Sequence, residues 1–554
     1  MENMKKPFFN VPYLLKSEGM KGQEELLQEI RQQLIENKRT AVVHDADYHE
    51  LGGPGRTQLA VEYAYRYCDE YPGGVIWISA DRLIEFQLIR IAKQVEWVHP
   101  EMEYPDVLKK AIQRLNNSDS LIIFDNVEKL AAIEPFLPWV KTGPHVLVTA
   151  RETLKGFTPI EIPLLDDEPS LQGLLNETQG KIAALPDLEK EPLLKNILDL
   201  LAWSGVSFIG ISLIAAVLDK KEPELSDSLS KGVSLRLLQK AVDGEQYQMH
   251  PLIRKTWRDE NPIKERNHWV DNICQRLGDW FEQRRKPTDD LPAFEAEIAH
   301  LQEWGTHAKD QSSEHECRLT WLQAYPPYYL GKHQESFKLV QSALSLIEKA
   351  QEPDLELKAN LYNDLGSISG AMGDHDKSLT YHLQALEIQR EHLGEEHSDT
   401  INSIENVGTT YSALGEHEET LKYHLQALEI RKKVFGERHP ETAGSFDSVG
   451  DCYDNLGKYS EGMPYHQQAL EIQRELLGEY HPDTAAAFFN VVYTMVKLRR
   501  FSEAGERLTP YLEGISSDHP EYERFLNLRK FLNKERIKGS SRIPSKKKKK
   551  KKKK

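Results

Sequence analysis

Tyr381-His-Leu-Gln-Ala-Leu-Glu-Ile388 recurs unchanged as Tyr423 to Ile430, and returns with one change as Tyr465-His-Gln-Gln-Ala-Leu-Glu-Ile472, each copy 42 residues after the last. Gly366, Gly408 and Gly450 keep the same step, as do Gly373, Gly415 and Gly457, and so do the His-x-acid-Thr turns at His397, His439 and His481. Coincident offsets of this kind mark an internal repeat, and a repeat of this length cannot cover its own apolar face without a neighbouring copy. Eroded copies extend the array both ways: Gly331 and Ala343 lie one period before Gly373 and Ala385, and a later copy fades through Phe501 to Leu512.

Within one period Leu361, Leu365 and Ile368 have helical spacing up to Gly373. Leu379, Leu383, Leu386 and Leu393 then mark a second helix up to Gly394. Glycines at those ends suit left-handed caps, and the small Ala385, Ala427 and Ala469 admit close helix contact. The pattern predicts helix–turn–helix units stacked into a superhelical solenoid. His382, His424 and His466 are expected to decorate helix surfaces, because residues 42 apart lie on successive units.

This array resembles the tetratricopeptide repeat in the 42-residue form of kinesin light chains, over about 315–515. The Leu-Asn-Asn-Leu-Ala core of that form is matched loosely by Tyr362 to Gly366, Ile404 to Gly408 and Phe446 to Gly450. The resemblance implies a protein or peptide ligand on the concave surface lined by the first helix of each repeat. Asn363, Asp364, Glu405, Asn406, Asp447, Ser448 and Asn490 are the candidate contacts there, with a plain solvated helix face as the competing reading. Residues 351–490 hold 26 acidic against 10 basic residues, which favours a ligand carrying basic side chains.

The rest of the chain is read outward from the repeats. At roughly 100–200 residues per domain, 554 residues call for three to five units, and 39% hydrophobic content supplies their cores. The net charge of −16 conceals two parts: without the terminal run Lys546 to Lys554, 62 basic residues face 87 acidic ones. So acidic a body excludes sequence-specific nucleic acid as the principal ligand. Cys68, Cys274, Cys317 and Cys452 are widely separated with no CxxC pair, so neither a disulfide framework nor a zinc site is expected. No signal peptide is evident in Met1 to Leu15, and the longest apolar stretch, Gly205 to Leu218, is too short for a transmembrane segment. A cytoplasmic protein is the expectation.

In the N-terminal half, a strand from Lys38 to Val43 leads into Glu50-Leu-Gly-Gly-Pro-Gly-Arg-Thr57 and then a helix from Gln58 to Tyr67. Strand, Gly-rich loop and helix form the frame in which backbone N–H groups cradle phosphate. Leu121-Ile-Ile-Phe-Asp-Asn126 reads as a buried strand ending in the carboxylate that would stand beside Mg²⁺. His145 to Arg151 and Gly74 to Ala80 complete four strands of a parallel α/β sheet.

The order of these parts resembles the NB-ARC module of STAND-type signalling ATPases over about 10–265, a class in which such modules often precede tetratricopeptide arrays. Asn10 to Leu26 is similar to the family's lead-in. Ile197 to Leu218, Val233 to Leu238 and Tyr247 to Ile253 look like its winged helix. The resemblance implies ADP or ATP with Mg²⁺, bound by Gly52, Gly53, Gly55, Arg56, Thr57, Asp125, Arg151 and His250. Thr57 and Asp125 would be the Mg²⁺ residues, Asp125 the catalytic one if the module is active, and His250 would touch the diphosphate. The chain departs from the family at Glu50, which replaces the first loop glycine, at Arg56, which replaces the lysine, and at Asn126, which replaces the second acid.

The resulting expectation is multidomain. A lead-in (1–19) precedes a P-loop α/β domain (20–165), a shortened helical and winged-helix region (166–265) and a helical connector (266–314). A tetratricopeptide solenoid (315–535) and a disordered basic tail (536–554) complete it. The tail suits anionic surfaces or nuclear import, or reflects translation of an adenine-rich message end. Three functions remain open at this point: a STAND-like regulatory scaffold switched by ADP or ATP, a nucleotide-free adaptor whose α/β half is only structural, and an active NTPase with Arg56 in the lysine position. With the module starting near Met1, output is expected through self-assembly or recruitment.

Overall fold

The structure is a computed structural model. It describes residues 8–13, 24–43, 54–99, 102–116, 118–138, 143–150, 152–161, 191–205, 208–242, 244–249, 251–261, 267–284, 297–308, 313–516, 519 and 521–540. The chain divides into two compact units, Met1–Pro353 and Asp354–Lys554.

The first unit is built on β1 (Arg39–Val43), β2 (Val75–Ser79), β3 (Leu121–Val127), β4 (His145–Ala150) and β5 (Thr158–Glu161). These strands are all parallel and lie in the order β2-β3-β4-β1-β5. Near-continuous burial along β1 to β4 is what a parallel sheet covered on both faces requires. Helices α1 (Glu24–Asn37) and α2 (Pro54–Tyr67) cover one face, where Leu27, Ile30, Leu34, Leu59 and Tyr63 pack on Val42, Trp77, Ile123 and Leu147. Helices α3 (Ile84–Gln94) and α4 (Tyr104–Asn116) follow β2. The four expected strands are present. A fifth strand, β5, was not foreseen; it lies at the sheet edge, where the missing N–H of Pro159 is tolerated.

A second, three-stranded antiparallel sheet has the order β6-β8-β7: β6 (Ile209–Gly210), β7 (Leu238–Lys240) and β8 (Gln246–Met249). It is accompanied by α5 (Pro192–Trp203), α6 (Ile211–Leu218), α7 (Glu222–Ser234) and α8 (Pro251–Glu260). These elements span the stretch read from the sequence as a winged-helix region. The connector contributes α9 (Asn267–Gln283) and α10 (Ile298–Ala308), tied in by buried polar contacts. Trp304 Nε1 donates to Ser204 Oγ at 3.1 Å and the Gly210 amide donates to Glu297 Oε1 at 2.8 Å, while Trp257 Nε1 on α8 donates to Asp199 Oδ1 on α5 at 2.9 Å. The unit ends with α11 (Ser313–Leu322) and α12 (His333–Ile347), which carry the eroded first repeat.

The second unit is a run of antiparallel helix pairs. They are α13 (Leu355–Ala371) with α14 (His375–His392), α15 (Ser398–Ala413) with α16 (His417–Phe435), and α17 (Pro440–Asn455) with α18 (Tyr459–Leu477). Then come α19 (Pro482–Lys497), α20 (Phe501–Gly514) and α21 (Tyr522–Ser540). Helix α21 runs five residues into the stretch assigned to the basic tail; the lysine run itself lies outside the described residues. The repeat-end glycines are left-handed as expected, with φ of +82° at Gly373, +80° at Gly415 and +72° at Gly457.

Two expectations about the second helices are corrected. His382, His424 and His466 are buried, while Leu383 is exposed. The inward face of α14 is Ser378, His382, Ala385, Leu386 and Gln389, one residue round from the leucine stripe. What admits the imidazoles is the missing side chain opposite. A Cβ on Gly366 would stand 2.6 Å from His382 Cε1, and one on Gly450 would stand 2.5 Å from His466 Cε1.

Gly450→Ala is therefore expected to lower the melting temperature, because an overpacking cost of about 1–3 kcal/mol exceeds the ~1 kcal/mol helix gain. Gly444→Ala on the same helix, with nothing within 4 Å of the added carbon, should raise it. Thermal melts of the two variants check the pair.

Candidate functional site

At the carboxyl edge of the parallel sheet, three hydroxyls converge on one carboxylate. Asp125, at the end of β3, is 3% exposed. Its Oδ1 accepts from Thr57 Oγ1 at 2.8 Å and from Thr149 Oγ1 at 2.5 Å, and its Oδ2 accepts from Tyr13 OH at 3.3 Å. Thr57 lies in the first turn of α2, Thr149 is the polar residue near the end of β4, and Tyr13 comes from the lead-in. The strand is re-aimed just beyond the carboxylate: Asn126 has φ of +62°, the β3–β4 register shifts there, and its amide donates to Thr149 Oγ1 at 2.8 Å. Asparagine tolerates that left-handed backbone better than most side chains, a local reason for Asn126 to replace the second acid.

Burial pushes the Asp125 carboxyl above the usual range, against the pull of the three hydroxyls and the Arg56 guanidinium. Asp81, just past β2, is pushed up to about 6 by burial, with Arg82 opposing and Asp125 adding to the shift. The buried Arg56 donates through Nη1 to the Ala150 carbonyl at the end of β4.

The residues fit a divalent cation beside Thr57 and Asp125. Neighbouring ligands of an octahedral Mg²⁺, each at roughly 2.0–2.1 Å, stand about 2.9 Å apart. The Thr57–Asp125 oxygen separation of 2.8 Å already has that span. Among the described residues no group of three or more His, Cys, Asp or Glu could hold a metal by itself, so the cation would take its remaining ligands from phosphate and water. Gly55 is placed in the first turn of α2, whereas Gly52, Gly53, Arg151 and His250 lie outside the described residues. Sequence reasoning missed Thr149, Tyr13 and Asp81. A single threonine inside Val-Leu-Val-Thr-Ala was the available signal for Thr149.

The repeats carry a second polar system. Asn363, Glu405 and Asp447 occupy one repeat position and are bonded across units. Asn363 Nδ2 donates to Ser403 Oγ at 2.7 Å, Glu405 Oε1 accepts from Ser445 Oγ at 2.9 Å and from Arg431, and Asp447 Oδ2 accepts from Asn490 Nδ2 at 2.8 Å. Asp364, Asn406, Ser448 and Asn490 form the adjacent row; all four are half-buried. The three buried histidines differ in their surroundings. Burial pushes His382, bonded to Asn363, down to about 4, and burial also lowers His424, where Arg431 already engages Glu405. Burial alone would lower His466 as well, but Asp447 at 2.6 Å, Asp454 and Asp451 raise it to about 9.

The family model for the tetratricopeptide repeat matches residues 328–391, 359–433, 399–461 and, in a second form, 442–483. Residues 328–483 are tetratricopeptide repeats. Among solved structures, the chain is similar to a Signal Transduction ATPase with Numerous Domains protein with a tetratricopeptide repeat sensor from Pyrococcus horikoshii. That match has 17% identity and a TM-score of 0.45, and covers 97% of this chain and 91% of that one. It is also similar to BtubC from P. vanneervenii (17% identity, TM-score 0.34, 50% of this chain and 96% of that one). A putative kinesin light chain from Podosopora anserina gives 18% identity and a TM-score of 0.33, over 41% of this chain and 98% of that one. No curated protein matches the chain.

His466 makes the tetratricopeptide array sensitive to alkali. Its proton is held to about 9 in the fold and to about 6.5 in the unfolded chain, so its contribution is complete below about pH 6.5 and is lost as pH rises through about 9. The loss is worth up to about 3 kcal/mol. The melting temperature should fall between pH 6.5 and 9.5 in the wild type and fall less in His466→Gln, which differential scanning fluorimetry checks.

Proposed function

We propose that the chain is a partner-sensing regulatory scaffold whose α/β module holds ADP or ATP with Mg²⁺ as a conformational switch. The observation that carries this reading is the 2.8 Å contact of Thr57 with Asp125 at the carboxyl edge of a parallel sheet, where α/β folds bind ligands. The order of strand, glycine-rich loop and helix around Thr57 supports it, as does the small antiparallel sheet that follows in the same unit. In this reading Thr57 and Asp125 supply two oxygens to the cation, which neutralises phosphate charge. Amides at the start of α2 face the phosphates, and Asp81 adds a second carboxylate nearby. Asn126 offers no acid to orient water, so the nucleotide is a state marker rather than a consumed substrate.

The tetratricopeptide repeats bind a protein partner on their first helices. Asn363, Asp364, Glu405, Asn406, Asp447, Ser448 and Asn490 are the partner-facing residues, and the cross-repeat bonds through Asn363, Glu405, Asp447 and Asn490 set their spacing. The acidic surplus of residues 351–490 favours a ligand with basic side chains. Partner binding shifts the population between nucleotide states, and recruitment or self-assembly is the output. The four cysteines are all free, as a reducing cytoplasm would keep them. No helix among the described residues is long and apolar enough to cross a membrane.

A second reading, the nucleotide-free adaptor, is favoured by one observation: Arg56 spends its guanidinium on the Ala150 carbonyl, and Asp125 is already met by three hydroxyls. Denaturing protein purified without added nucleotide and running the supernatant on an anion-exchange column separates the two. The switch predicts close to stoichiometric ADP or ATP in the wild type and loss of it in Thr57→Ala. No nucleotide, together with no thermal shift on adding Mg²⁺–ATP, selects the adaptor. Turnover abolished by Thr57→Ala would select the active NTPase.

A further inference from the structure

We propose that a cleft between the end of α3 and the outer face of α4 binds a nucleoside monophosphate, with the base on Trp97 and the phosphate on Lys110 and Arg114. The cleft shares no lining residue with the Asp125 edge, and the proposal stands apart from the nucleotide reading of that edge. Its first wall is made by the way α3 stops. The Glu96 amide donates to the Lys93 carbonyl at 3.2 Å and the Trp97 amide donates to the Ala92 carbonyl at 2.9 Å, the paired bonds of a left-handed helix cap. Glycine is the usual residue at such a cap, yet here Glu96 holds a φ of +56°. The left-handed residue turns the chain off the helix axis, and Trp97 comes to rest half-buried beside α4.

The second wall is α4. Val107, Ala111 and Leu115 face inward, which leaves Lys110, Gln113 and Arg114, at i, i+3 and i+4, on one exposed face. Trp97 and these three residues line a cleft of about 390 Å³. Lys93 on α3 is engaged elsewhere, its Nζ standing over the Tyr104 ring at 4.8 Å. Among the described residues Lys110 and Arg114 have no ion-pair partner, and the Trp97 ring has no aromatic or cationic neighbour. In a chain of net charge −16, two unpaired cations beside one open indole mark a place for an anion that carries a flat ring. Arginine offers phosphate oxygens a planar fork and lysine a point charge. A phosphate monoester carries close to two negative charges at neutral pH, which the two cations match. None of the four lining residues is an acid, so a Mg²⁺-chelated triphosphate finds no carboxylate there. The volume lies at the small end of ligand sites, which suits one nucleotide rather than a dinucleotide.

The test uses the full chain carrying Thr57→Ala, in EDTA, so that the Asp125 edge adds no signal, and titrates AMP by calorimetry. The expected result is one AMP per chain, with adenosine and inorganic phosphate each binding more weakly than AMP. Adding Trp97→Ala removes the stacking surface and adding Arg114→Ala removes the fork; each should weaken AMP roughly tenfold. Arg114 is exposed, so its variant reads binding without touching the core. No saturable AMP binding, or the parental affinity in Arg114→Ala, would overturn the proposal. Tighter binding of a single-stranded oligonucleotide, lost in the same two variants, would overturn it in favour of nucleic acid. Either failure leaves the reading of the Asp125 edge standing, because that edge is silenced throughout.

Discussion

A carboxylate with 3% exposure at a sheet edge has to be met by donors, and the N-terminal unit is arranged around meeting Asp125. Thr57 reaches it from the first turn of α2, and Thr149 reaches it because β4 lies beside β3. The left-handed turn at Asn126 lets the strand swing aside immediately after the carboxylate while its amide holds Thr149 in place. Leaving any of these donors unmade would strand a buried acceptor at a cost of about 1–3 kcal/mol, which is why the edge is so densely cross-bonded.

The repeats answer a different constraint. A helix pair of this kind stays folded only if its neighbours cover its apolar face. The closeness of the helices in the first and third full repeats is set by glycines that leave room for an imidazole, Gly366 for His382 and Gly450 for His466. Around imidazoles of constant shape the polar neighbours vary: Asn363 bonds His382, whereas Asp447, Asp451 and Asp454 surround His466. Identical repeats in outline thus become chemically addressed positions along the array. The negative charge concentrated in residues 351–490 is carried by helices that repeat every 42 residues.

Much of this was legible in the sequence because periodicity and apolar runs report directly on burial. The 42-residue step located the helix pairs and their left-handed glycines, and Leu121 to Phe124 and His145 to Val148 could only be buried strands. The histidines were misplaced because only their 42-residue spacing was weighed, not their spacing to Ala385 and Leu386. His382 stands three and four residues before those two alanine-and-leucine positions, the spacing of a shared helix face. Partners brought together through long-range contacts were beyond local patterns: Tyr13 and Asp125 are 112 residues apart, and Thr149 is 24 from Asp125. Thr57 and Asp125 were singled out from motif chemistry, and the fold brings them within 2.8 Å of one another.

The account stands on Asp125 as the anchor of a bound cation and nucleotide, and calorimetric titration of Mg²⁺–ADP into the stripped wild type and Asp125→Ala tests it most directly. The account predicts one site per chain in the wild type, with affinity at least tenfold weaker in Asp125→Ala while the repeat unit melts unchanged. Equal affinities in the two proteins, or no heat from either, would contradict it.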